Sequence, residues 1–180
     1  MKDNVWFTYK ARIQAHKRLE WLDFHSQLLL VWYAILSAIL GVVTIRYSHV
    51  LGPDTDVLAT VLSVALLGVS LAVTNRDFRA RALAMRRNYL ELQRLYMEIS
   101  SAGNSSADQI HRYDALLKDC ENHRDVDDRI ARVFATGLTS RTPSTFEQFS
   151  AIGWLALRFI ITIFLYSLPL LFGFSMWTAA

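Results

Sequence analysis

The stretch SLAVTNRDFRARALAMRRNYLELQRLY, residues Ser70–Tyr96, passes from an apolar run into six arginines with no proline or glycine after the run has ended. A chain that turns basic without meeting a helix breaker is expected to keep its helix. The stretch therefore reads as a membrane helix that leaves the bilayer and continues into water. Working outward, no Asp, Glu, Lys or Arg lies between Asp23 and Arg46 or between Asp56 and Arg76, and a third such gap runs from Arg158 to the last residue. Each gap can hold the roughly 20 helical residues that cross a bilayer core. The 180 residues are 53% hydrophobic with a formal net charge of +3, and the mean hydropathy of +0.23 is high for a soluble domain.

The spacing predicts an all-α membrane protein. Residues 1–27 form an amphipathic cytoplasmic helix, with Trp6 and Trp21 suited either to the headgroup zone or to packing on the rest of the domain. A transmembrane hairpin follows over 28–74, its helices at about 28–45 and 57–74, turned at Gly52-Pro53. Five Lys/Arg precede the first span and six lie between Arg76 and Arg94, against Arg46 alone in the turn. The positive-inside rule then puts both ends of the hairpin in the cytoplasm. The mixed polar N-terminus lacks the look of a signal peptide, so both apolar runs are expected to remain.

Residues 75–136 read as a cytoplasmic antiparallel helical pair. Phe78, Ala82, Met85, Tyr89, Leu92, Tyr96 and Ile99 recur at alternating spacings of four and three, a heptad seam. Arg76, Arg79, Arg86, Arg87 and Arg94 gather on the opposite side. Arg76 and Arg79 suit lipid headgroups, whereas Arg86, Arg87 and Arg94 are candidate anion contacts. SSAGNSS, Ser100–Ser106, ends that helix, and Ser106 with Gln109 resembles a capping box opening a second helix that runs to about Ala135. Acids on the second helix, among them Asp119, Glu121, Asp125, Asp127 and Asp128, face the arginine-rich first. A loop over 137–150 leads to a C-terminal hydrophobic helix over 151–180. On length it reads as a third span in preference to a re-entrant segment, with Arg158 snorkelling and Pro169 kinking it.

No catalytic constellation is present: the sequence holds no phosphate-cradling glycine loop, nucleophile elbow, paired-cysteine motif or HExxH, and its five histidines are scattered. Neither an enzyme nor a cofactor is expected. Cys120, His123 and Asp127 share one side of the second helix, too few ligands for a metal. The lone cysteine forms no internal disulfide. The hairpin offers faces in place of chemistry. Ala34, Ser37, Ala38 and Gly41 make a small-residue interface on the first span, and Thr60, Ser63, Ser70 and Thr74 form a hydroxyl row on the second, suited to helix packing or to lining a pore. With no ionisable residue inside either helix, proton relays and voltage sensing lack their usual groups.

The basic lead-in YKARIQAHKRLEWLDFHSQLLL, the tight hairpin and the directly following FRARALAMRRNYLELQRLY resemble the SLATT family of bacterial two-transmembrane effector domains. The extra apolar C-terminal segment is similar to the subgroup coupled to reverse transcriptases. The resemblance implies an anti-phage effector that oligomerises in the inner membrane and permeabilises it, an abortive infection triggered by a nucleotide second messenger or by an associated sensor from a nucleotidyltransferase or reverse-transcriptase system. The expected partners are thus the lipid bilayer, further copies of the chain, and that signal or sensor, with no direct nucleic-acid binding. Two alternatives stand beside it: a non-toxic scaffold recruiting a soluble partner through the heptad seam, and a membrane sensor that itself binds a nucleotide.

Overall fold

The computed structural model describes residues 1–103, 105–135 and 142–179, the side chains of 177 and 179 apart. Six helices follow one another: α1 Lys2–Arg46, α2 Thr55–Arg76, α3 Phe78–Ala102, α4 Ala107–Lys118, α5 Asp125–Phe134 and α6 Thr145–Ala179. Among the described residues there is no strand, and the helices containing Lys2–Arg46, Thr55–Ala102 and Thr145–Met176 are long and apolar enough to cross a membrane. The fold class is the expected all-α membrane protein. Two compact units divide it, a bundle of Met1–Leu22 with Phe78–Leu157 and an apolar unit of Asp23–Asp77 with Arg158–Ala180.

The bundle is organised by α1 rather than by the helical pair expected over 75–136. Val5 and Tyr9 pack against Leu92, Leu95 and Ile99, flanked by Tyr113 and Leu116 of α4. Ala15 and Leu19 pack against Ala82 and Met85, flanked by Phe78 and Cys120. Early α1 thus meets late α3 and later α1 meets early α3, so the two heptad lines run antiparallel. Their apolar side chains leave water almost completely, worth about 1.5–3 kcal/mol for each large one. The amphipathic N-terminus is accordingly spent on packing: Trp6 lies half-buried beside the first cluster.

Two expected continuities are broken. At the junction of α2 and α3, Asp77 takes a left-handed conformation (φ 42°), its N–H bonding back to the Thr74 carbonyl. Asp is among the few non-glycine residues that visit this region, which is why a sequence free of glycine and proline still interrupts its helix here. The second cytoplasmic helix is likewise divided into α4 and α5 by a non-helical linker over 119–124. The slip in its apolar seam, from Cys120 through His123 to Val126, falls in that linker and next to it.

Caps explain the remaining boundaries. Ser106 and Gln109 form the expected reciprocal capping box. Gly103, at φ 77°, closes α3 after Ala102. The loop expected over 137–150 is shorter, because Ser144 and Glu147 make a second capping box that opens α6 at Thr145; residues 137–141 of it lie outside the described residues. In the hairpin turn, buried Thr55 donates to the Gly52 carbonyl and accepts from the Leu51 N–H, starting α2 just before the expected position.

Candidate functional site

The apolar unit presents its candidate faces largely uncovered. Ala34, Ala38 and Gly41 are exposed, and a Cβ placed on Gly41 would meet nothing within 4 Å. Among the described residues, no helix of the chain is seated on the small-residue face at Gly41. Ser37 is the exception, its Oγ 3.4 Å from that of Ser63, which brings one residue of each candidate face together. Thr60, Ser63 and Thr74 donate to the carbonyls of Asp56, Ala59 and Ser70 four residues back. A hydroxyl satisfied by its own helix can face hydrocarbon at little cost and still accept from water. Between the apolar segments of α1, α2 and α6 lies a cleft of about 740 Å³ lined by residues such as Leu36, Leu40, Leu62, Leu66 and Leu168. In a bilayer such a space is filled by acyl chains or by another helix.

α6 is tied to α1 where its own ladder fails. Pro169 has no N–H to give the Leu165 carbonyl, one turn earlier. The Tyr33 hydroxyl donates to that oxygen at 2.8 Å, and the Trp32 indole donates to the next carbonyl, of Tyr166, at 3.1 Å. Inside lipid a bare carbonyl costs several kcal/mol, so these two aromatic donors allow the proline to sit in an unbroken helix.

The bundle unit holds a polar assembly that sequence reasoning missed. Arg12 is fully buried and occupies the seam seven residues after Val5 and seven before Leu19. Its guanidinium donates to the Asn88 side chain and to the carbonyls of Leu116 (3.0 Å) and Leu117 (3.3 Å), at the end of α4. Asn88 in turn donates to Leu116 at 2.8 Å. Arg18, also buried, pairs with Asp127 at 2.9 and 3.0 Å, and the same carboxylate caps the Arg124 N–H that opens α5. Two arginines of α1 thus hold the two helix ends created by the 119–124 linker, a cation at the carbonyl end of α4 and a cation on the carboxylate at the amide end of α5. The heptad Val5–Arg12–Leu19 carried the signal for Arg12; nothing local marked Asp127 among its acidic neighbours.

Electrostatics in this assembly follow burial. Burial pulls Arg12 below the ordinary guanidinium value, opposed by Cys120, Tyr113 and Asp119. The Cys120 thiol is pushed up by burial, which keeps it protonated, and its Sγ lies 3.9 Å from Met85 Sδ. His123 is pulled down by burial, with Asp128, Asp127 and Asp125 opposing and Arg12 assisting. Cys120 and His123 lie in the linker and Asp127 is engaged by Arg18, so the helical spacing that grouped the three does not exist.

Of the seam, Ala82, Met85, Leu92 and Ile99 are buried and Phe78, Tyr89 and Tyr96 half-buried, all inside the bundle. Arg86, Arg87 and Arg94 are exposed, with Arg94 paired to Glu91 at 2.5 Å. Arg81–Glu121 at 2.7 Å sets the register of α3 against the 119–124 linker, and Arg112 of α4, which bridges Glu98 and Glu91 at 2.9 and 3.4 Å, sets it against α4. The family model described as SMODS and SLOG-associating 2TM effector domain family 5 matches residues 1–178. No curated protein and no solved structure matches the chain.

Proposed function

Because the chain belongs to family 5 of the SMODS and SLOG-associating two-transmembrane effector domains, we propose that it is a bacterial inner-membrane effector of anti-phage defence that assembles and permeabilises the membrane when triggered. The observation that carries this reading is the uncovered pair of faces in the apolar unit. The small-residue face of α1 has room for a neighbouring helix, and three hydroxyls of the α2 row, those of Thr60, Ser63 and Thr74, are satisfied by their own backbone, while Ser70 is half-buried. Such a row tolerates lipid in a resting chain and can line water once copies gather. No catalytic step enters the reading; the effect on the cell is physical leakage.

Orientation is supported by packing as well as by charge. The N-terminal arm and the arginine-rich α3 belong to one bundle, which requires them on one side of the membrane, and the basic residues favour the cytoplasm for it. The trigger, a nucleotide signal or an associated sensor, must bind the resting and assembled arrangements with different affinity. Of the three candidate anion contacts, Arg86 and Arg87 are exposed, whereas Arg94, also exposed, is paired with Glu91. A scaffold acting through the heptad seam is disfavoured, because Met85 and Leu92 have no exposed surface left for a partner.

The test is to induce the chain with and without its genomic neighbours and follow entry of an impermeant dye. Dye entry that depends on those neighbours or on infection is the expected result. Membranes that stay intact under every triggering condition would remove the permeabilising role.

A further inference from the structure

α3 carries a second apolar line that the bundle does not use. Leu83, Leu90 and Met97 recur every seven residues on the side away from the Met85–Leu92–Ile99 seam, and they are 55%, 41% and 54% exposed. One exposed leucine on a surface is ordinary, but three on one helical line at a heptad spacing form a stripe of the kind that seats another helix. Arg79, Arg86, Arg87 and Arg94 flank the stripe and are exposed with it.

α4 presents a matching apolar stripe with aspartates along it and Lys118 at its C-terminal end. Ile110 and Leu117 are also seven residues apart, 45% and 37% exposed, with Asp114 exposed between them and Asp108 in the first turn. Each apolar pair spans about 10.5 Å of helix. The order agrees as well: Arg87 stands four residues after Leu83 and three before Leu90, and Asp114 stands four after Ile110 and three before Leu117. Within one chain α3 and α4 meet through other residues, Arg112 on Glu91 and Glu98 and Asn88 on Leu116, so both stripes remain open.

We propose that the outer stripe of α3 in one copy docks on the outer stripe of α4 in the next, placing Leu90 against Leu117 and Arg87 beside Asp114. The contact joins two different patches, so it repeats from copy to copy and closes into a ring or extends as the rotation dictates. It rests on the assembly part of the proposed function and specifies the surface through which assembly occurs. The occupants it excludes are an acidic helix of another protein and an anionic bilayer surface.

Cross-linking of the full chain, purified in detergent and carrying Cys120→Ser, tests the contact. With Leu90→Cys and Leu117→Cys together, mild oxidation should give a ladder of covalent dimers and larger species. Either cysteine alone should stay monomeric, and dimers from Leu90→Cys alone would place α3 against α3 and overturn the pairing. In the double-cysteine chain, Arg87→Glu or Asp114→Arg should each cut the linked fraction at least about threefold, and the two combined should restore it. Leu90, Leu117, Arg87 and Asp114 are exposed, and half-buried Cys120 beside the second cluster is replaced by a serine of nearly the same shape, so the variants keep the bundle core intact. No ladder either from the purified double-cysteine chain or from membranes of infected cells that express it with its genomic neighbours, or no rescue by the charge exchange, overturns the proposal. A ladder without dye entry in cells would leave the contact standing and remove the permeabilising role; dye entry without a ladder would do the reverse.

Discussion

Arg12 stands where an antiparallel seam would ordinarily take a leucine, and among the described residues its charge is met by an amide and two carbonyls in place of a carboxylate. A polar layer between two apolar clusters fixes register, because sliding the helices would strand a buried cation. Arg18 contributes on the same principle with a carboxylate partner. Removing it by Arg18→Ala leaves Asp127 buried and uncompensated, and the detergent-purified chain should lose about 3 kcal/mol or more in chemical unfolding. A loss no larger than that of an exposed arginine such as Arg79→Ala would contradict the role given to the pair. His123 adds a dependence on pH. Burial lowers its pKa in the fold below the ordinary 6.5, so the unfolded chain takes up the proton first. Its contribution is complete above that value and is lost as pH falls below it towards the folded value. Melting curves between about pH 7.5 and pH 5 should therefore fall more steeply for the native chain than for His123→Asn, and equal slopes would show the ring to be solvated.

At the scale of elements, the breaks and joins come from contacts distant in sequence. The amphipathic seam of α3, the hairpin turn and the Ser106 capping box were legible because each is written in local spacing. Ser144-Thr145-Phe146-Glu147 is written in the same code, yet reading the loop through to 150 hid it. The division of α4 from α5 was not legible: residues 107–135 hold no proline or glycine, and the gap is held by two arginines about a hundred residues away. Asp77 was equally silent, since left-handed aspartate leaves little mark in composition. Pro169 was visible, but its compensation was not. If Tyr33 serves the carbonyl that Pro169 leaves bare, Tyr33→Phe should cost about 1 kcal/mol in the native chain and little in Pro169→Ala, where the residue-169 N–H reaches the Leu165 carbonyl again. Thermal unfolding of the four chains of this cycle measures the coupling. Equal costs in both backgrounds would mean that the hydroxyl and the proline act independently.

For the whole molecule, the membership of each helix in the two units constrains topology more tightly than the count of basic residues does. Met1–Leu22, α3, α4, α5 and the first turns of α6 share one compact unit, which under the proposed function lies on one side of the membrane. The excess of Lys and Arg in that unit favours the cytoplasm for it under the proposed function. On that proposed orientation the turn around Gly52 faces outward, and α6, if it crosses, delivers residue 178 to the outside, giving three crossings where the family description speaks of two. A re-entrant α6 would bring the same residue back to the cytoplasm. Reporter fusions separate the two: a phosphatase joined after Ala180 should be active and a fluorescent protein at the same place dark, while fusions before Met1 give the opposite pattern. Because Arg158 is the last charged residue before an apolar stretch that continues to Ala180, moving a cluster of lysines to the end of the chain should resist translocation and lower the phosphatase signal. A bright fluorescent fusion after Ala180 of the unaltered chain would reduce the protein to a two-span hairpin with an interfacial α6, and the Tyr33 and Trp32 bonds to its Leu165 and Tyr166 carbonyls would then have to form at the membrane surface, where water competes for both oxygens.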